Sequence, residues 1–183
     1  MSRARVAEQL GILERLGAPP ELIRHAEVVS EVAEELLAAC ARLAIPIDEG
    51  WVLSGAVLHD AGKVLVPAEL HGPGSLHESV GEPLLLEAGV DARIARCATT
   101  HAQWALSDVT LEELAVALAD TIWKGKREPR LETAFVEAAA ARTSVPFWEL
   151  FPALDGELEC IADAGSLRMA RMLAPGKGDT LAR

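Results

Sequence analysis

Residues 56–63 read Ala-Val-Leu-His-Asp-Ala-Gly-Lys, AVLHDAGK, at the end of an apolar stretch. Val52, Ala56 and His59 recur at helical spacing and so share one face. Asp48 suits the N-cap of this helix, and Gly62 suits a stop near Ala61. A histidine and an aspartate therefore finish an apolar stripe. Burying either group is costly unless it is hydrogen-bonded, paired or bound to a cation.

The same pattern recurs on both sides. His25 lies on a stripe with Leu22, Val29 and Leu36; His77 with Val80 and Leu84; His101 with Ile94 and Ala98. Asp120 sits inside the apolar run AVALADTIW. Singly, each is explained as a core side chain bonded to a carbonyl or to an arginine. Together, His25, His59, Asp60, His77, His101 and Asp120 make six imidazole and carboxylate groups spread over five helices. That is the donor chemistry of a hydrolytic transition-metal site. The fifth histidine, His71, falls in a Gly/Pro segment and reads as a surface residue.

The rest of the chain predicts an all-α fold. Half of the 183 residues are apolar, mostly Ala and Leu, aromatics make up 4%, and Tyr is absent, which favours helices over strands. Predicted helices cover Ala4–Leu16, Pro20–Leu43, Asp48 to about Ala61, Asp91–Trp104, Leu111–Lys124, Leu131–Arg142, Pro146–Ile161 and Ala164–Leu173. Ser75 and Glu78 have capping-box spacing for one more, which Pro83 should kink or end early. Pro67–Gly74 reads as a loop. Residues 1–173 are expected to form a single-domain helical bundle with its motif-bearing core at about 20–130, and 174–183 a disordered tail.

Net charge is −11, which argues against a basic nucleic-acid-binding surface. Neither a signal peptide nor a membrane span is evident, and the three widely spaced cysteines read as reduced thiols, so a cytoplasmic protein is expected. One basic cluster stands out: Lys124, Lys126, Arg127 and Arg130 follow Asp120. It is explained either as solvated charge near a helix end or as a contact for an anionic substrate.

The set resembles the HD superfamily of metal-dependent phosphohydrolases, named for an adjacent His-Asp pair. The resemblance rests on AVLHDAGK, on His25 upstream and on LADTIWKGKR, residues 118–127, downstream. His77 in HESVG and His101 in THAQW resemble the two extra histidines of binuclear members. Departures narrow the choice. Nothing after His101 is similar to the Gly-Tyr-Pro stretch of the cyclic-dinucleotide phosphodiesterases, and Gly62-Lys63 stands where the guanosine tetraphosphate hydrolases carry Glu-Asp. Length, ligand order and basic residues after Asp120 are more similar to the symmetrical dinucleoside tetraphosphate hydrolases.

The resemblance implies one or two divalent transition metals, iron or manganese ahead of nickel, cobalt or zinc. Asp60 would bridge two ions, with His25, His59 and Asp120 on one and His77 and His101 on the other. A hydroxide held between them would attack a phosphoester or phosphoanhydride of a small anionic substrate such as a nucleotide. Lys63 would hold a nonbridging oxygen, and Lys126 and Arg127 a more remote phosphate. Two other readings stay open: a mixed-valent di-iron oxygenase with the same six ligands, and a non-catalytic signalling module that retains the site.

Overall fold

The computed structural model describes residues 2–173. Its α-helices are α1 (Ser2–Arg15), α2 (Pro20–Arg42), α3 (Glu49–Leu58), α4 (Leu76–Glu87), α5 (Ala92–Ala95), α6 (Cys97–Thr100), α7 (Leu111–Ile122), α8 (Pro129–Arg142), α9 (Phe147–Asp163) and α10 (Gly165–Leu173). Two 3-10 turns, Ala61–Val64 and Pro67–Leu70, lie between α3 and α4. No strand occurs among the described residues, and the fold is all-α. The expected tail, 174–183, lies outside them.

Three helices make the centre. In α3 every residue from Val52 to Leu58 is buried, and in α7 every residue from Leu111 to Ala119 is. Only a helix surrounded by others tolerates this, and α3 packs against α1, α2 and α7. The third, α2, buries Leu22, Ala26, Val29, Ala33, Leu36 and Cys40 at three- and four-residue spacing. Pro20 opens α2 in its first turn, where a missing N–H costs nothing. At the far end Ala44 adopts φ 53°, and the amides of Ala44 and Ile45 bond back to Ala41 O and Cys40 O. This is the left-handed stop that glycine usually provides.

Buried charges tie the helices together, each with partners. Glu113, fully buried, completes a capping box with Thr110 at the start of α7. The same carboxylate receives Arg96 at 3.0 Å and the Thr100 hydroxyl at 3.2 Å, docking the α5–α6 segment on α7. Glu112 binds Arg142 of α8 and the Asp48 amide. Arg168 of α10 is 3% exposed and bonds Ile161 O at 2.7 Å and Glu35 at 2.5 Å.

Several local expectations change. Asp48 caps α3 as expected, accepting from the Trp51 amide at 3.0 Å. Gly62, however, is no helix stop: α3 ends at Leu58, and Gly62 lies inside the first 3-10 turn. A Cβ there would stand 2.0 Å from the His77 carbonyl oxygen, so only glycine lets this turn touch α4. Ser75 makes no side-chain cap bond; Glu69 caps α4 from the preceding turn instead. Pro83 neither ends α4 nor shortens it, because the helix is clamped between the 3-10 turn and α6. The helix expected over Asp91–Trp104 is two short pieces joined at Arg96 and stopping at Thr100. The hydroxyls of Thr99 and Thr100 bond to Glu78 O and Glu82, and to Arg96 O and Glu113, which competes with further helix. Pro67–Gly74, expected to be loop, contains the second 3-10 turn.

Candidate metal centre

The six donors meet. His25 comes from α2, His59 and Asp60 follow the last turn of α3, His77 lies in the first turn of α4, His101 follows α6, and Asp120 is in α7. They form two groups, His25, His59 and Asp120 in one and Asp60, His77 and His101 in the other. Within each, the donor atoms lie within 4.8 Å of one another.

Asp60 stands between the groups. Its Oδ2 lies 3.3 Å from His25 Nε2 and 3.6 Å from His59 Nε2, while its Oδ1 lies 3.2 Å from His77 Nε2 and 3.8 Å from His101 Nε2. On the first side His25 Nε2, His59 Nε2 and Asp120 Oδ1 are mutually 3.3 Å apart. Donors about 2.0–2.1 Å from a shared cation in tetrahedral array are separated by about 3.3–3.4 Å. The spacing of His25, His59 and Asp120 is compatible with three donors to one cation, and Asp60 Oδ2 would stand beside it.

Backbone and carboxylate partners fix the rings. His59 Nδ1 bonds Ala56 O at 2.8 Å, and His101 Nδ1 bonds Cys97 O at 3.1 Å. A carbonyl only accepts, so each Nδ1 carries the proton and each Nε2 lone pair faces inward. His77 Nδ1 donates to the Glu69 carboxylate at 2.6 Å. With only imidazole and carboxylate donors, the residues fit a divalent transition metal.

The same groups shift one another's proton affinities, in opposite directions for His25 and the two carboxylates. Burial draws the His25 pKa down, but hydrogen bonds to Asp120 and Asp60 outweigh it and push it up to about 9. Burial likewise pushes Asp60 and Asp120 up, yet the neighbouring His59 and His25 charges hold both well below the usual carboxylate range. His101, buried and facing His59, is shifted down. A centre this rich in electron pairs suits a cation, and a metal ion would displace the protons.

Over the donors opens a cavity of about 480 Å³ with His25, Asp60 and Asp120 on its floor. Lys63 lines it, its Nζ 2.5 Å from Asp60 Oδ2. Of the basic cluster, Lys124 lines the cavity, while Lys126 does not. Arg127 is turned away, bonded to Glu132 at 2.7 Å and Asp155 at 2.5 Å. His71, read as a surface residue, is exposed yet reaches the rim, 3.6 Å from Glu21. Trp123 stands against His25 with ring centroids 5.4 Å apart, and Met169 and Met172 of α10 form the outer wall. Glu69, Trp123 and the two methionines had no place in the sequence-level site. Glu69 carries no local signal, and the methionines lie some 50 residues past Asp120.

The HD domain family profile matches residues 21–122, over half of the chain and the span that holds all six donors. The protein belongs to the HD domain family, part of a superfamily of metal-dependent hydrolases. An uncharacterised protein of Methanocaldococcus jannaschii is 29% identical over 138 residues, covering 67% of this chain and 78% of the relative. No solved structure matches. No helix among the described residues is long and apolar enough to cross a membrane.

Proposed function

We propose that this protein is a metal-dependent phosphohydrolase acting on a nucleotide or another small phosphorylated molecule. The observation that carries the reading is the division of Asp60, one oxygen toward each donor group. His25, His59 and Asp120 would hold one divalent ion, His77 and His101 the other, with Asp60 shared. When bound, such a pair supplies an activated water and neutralises charge on a phosphoryl group.

The chain's own residues supply the rest. Lys63 puts its ammonium group beside the floor, where nonbridging phosphoryl oxygens would lie, and Lys124 adds a second cation to the cavity wall. The cavity falls within the roughly 300–1,000 Å³ range of small-molecule sites. Its mouth mixes Trp123, Met169 and Met172 with those cations, which suits an organic group joined to an anionic one. A net charge of −11 disfavours a nucleic-acid polymer. Histidine-rich donors favour iron or manganese over magnesium.

The test is phosphate release from nucleotides, dinucleoside polyphosphates and simple phosphodiesters by the full chain loaded with Mn or Fe. Asp60→Ala should lose both ions and all hydrolysis; an active variant free of metal would end the proposal. Oxygen uptake by the iron-loaded protein without phosphate release would assign it to the oxygenases instead.

A further inference from the structure

His77 differs from its neighbours in what holds its outer nitrogen. His59 and His101 lean on carbonyls of their own chain segments, three and four residues back. His77 leans on a carboxylate from a separate turn, Glu69. An ionised carboxylate only accepts, so His77 Nδ1 carries the proton and Nε2 turns its lone pair toward Asp60.

Glu69 is itself held firmly. Its Oε2 takes the His77 amide at 3.0 Å together with the imidazole, and its Oε1 takes the Leu76 amide at 3.0 Å. Its side chain is 10% exposed. Gly74 closes over it: a Cβ at this position would lie 2.2 Å from Glu69 Oε1 and 2.4 Å from Cδ. The backbone at Gly74 is not among the left-handed glycines, so an alanine would meet the Glu69 carboxylate and no φ barrier. What would yield is the tip of a flexible side chain, the one atom group that orients His77.

We propose that Glu69 is a positioning residue for the second cation, acting through His77, and that Gly74 is glycine to keep the Glu69 carboxylate in place. This rests on the reading of the centre as a two-metal site. The carboxylate fixes the ring and strengthens Nε2 as a donor, as outer partners of metal-bound histidines do. The first group, His25, His59 and Asp120, makes none of these contacts and serves as an internal control.

The experiment is calorimetric titration of Mn²⁺ into the chelator-stripped full chain, at one pH, for wild type, Glu69→Gln, Glu69→Ala and Gly74→Ala. Wild type should bind two ions. Glu69→Ala and Gly74→Ala should weaken one of them by about 10- to 100-fold and leave the other unchanged. Glu69→Gln, which keeps a carbonyl oxygen for the imidazole, should lose less than Glu69→Ala. Gly74→Ala is the decisive variant, since it removes no donor and no charge. Two unaltered affinities in Gly74→Ala and Glu69→Ala would overturn the proposal while leaving the two-metal reading intact. Loss of both ions together with a lowered melting temperature of the stripped protein would also overturn it, by showing a merely structural cap. A wild type that binds no Mn²⁺ or Fe²⁺ would instead remove the two-metal reading and this proposal with it.

Discussion

Lys63 Nζ rests 2.5 Å from Asp60 Oδ2, the same oxygen that faces His25 and His59. On the proposed reading, a lysine and a metal ion would address one carboxylate oxygen. A divalent ion there would repel the ammonium, whose side chain is 21% exposed and lines the cavity, and leave it to meet a phosphoryl group.

Lys63→Met should therefore keep both ions and lose turnover by about 10²–10³-fold, the usual cost of removing one donor to a developing anion. Metal content beside kcat for the best substrate found checks this. A variant that loses metal and rate together would make Lys63 part of the metal shell.

The stripped protein should have a pH-dependent stability that metal removes. His25 has a folded pKa of about 9 against an ordinary 6.5, so the folded state holds the proton more tightly. Its stabilising contribution is fully present below 6.5 and is lost as pH rises through about 9. Melting temperature in chelator should fall across that window. With saturating Mn²⁺ the decline should vanish, because the ion takes the proton's place. Parallel curves with and without metal would contradict the assignment of His25 as a donor.

Met169 and Met172 lie three residues apart on α10, and ion pairs from Arg168 to Glu35 and from Arg171 to Glu31 set the rotation that turns them inward. Replacing both with alanine should raise KM for a substrate with a bulky organic group by about tenfold, leaving kcat for inorganic tripolyphosphate unchanged. Leu167→Ala, 71% exposed on the same helix and outside the cavity, is the control. Equal effects on both substrates would show a general loss of the fold.

Ala44→Gly should stabilise the protein by about 0.5–1 kcal/mol. Ala44 is exposed and holds φ 53°, where a Cβ is penalised and glycine is not. Urea denaturation midpoints with an unchanged slope would measure it.

The donors were legible in the sequence because each stands on an apolar stripe, where a polar side chain needs a partner. Helix placement was legible too: α2 buries the stripe its periodicity marks, whereas α3 and α7, buried all round, were marked by their apolar runs. What escaped depends on contact between distant segments. Glu69 caps α4 and backs His77 across eight residues, so the capping-box pattern at Ser75 and Glu78 pointed to the wrong residue. Gly62 looks like a helix stop, yet its role is an approach of 2.0 Å to another helix that no local pattern encodes. Arg127 belongs to a basic cluster by sequence but finds Glu132 and Asp155, whereas its neighbour Lys124 does not turn away.

The outer wall hangs from Arg168 and Arg171 on a helix that lies past residue 122, where the family profile stops. Floor and wall therefore belong to separate parts of the chain. Changes confined to this last helix would reshape what the cavity admits and leave the six donors where they are.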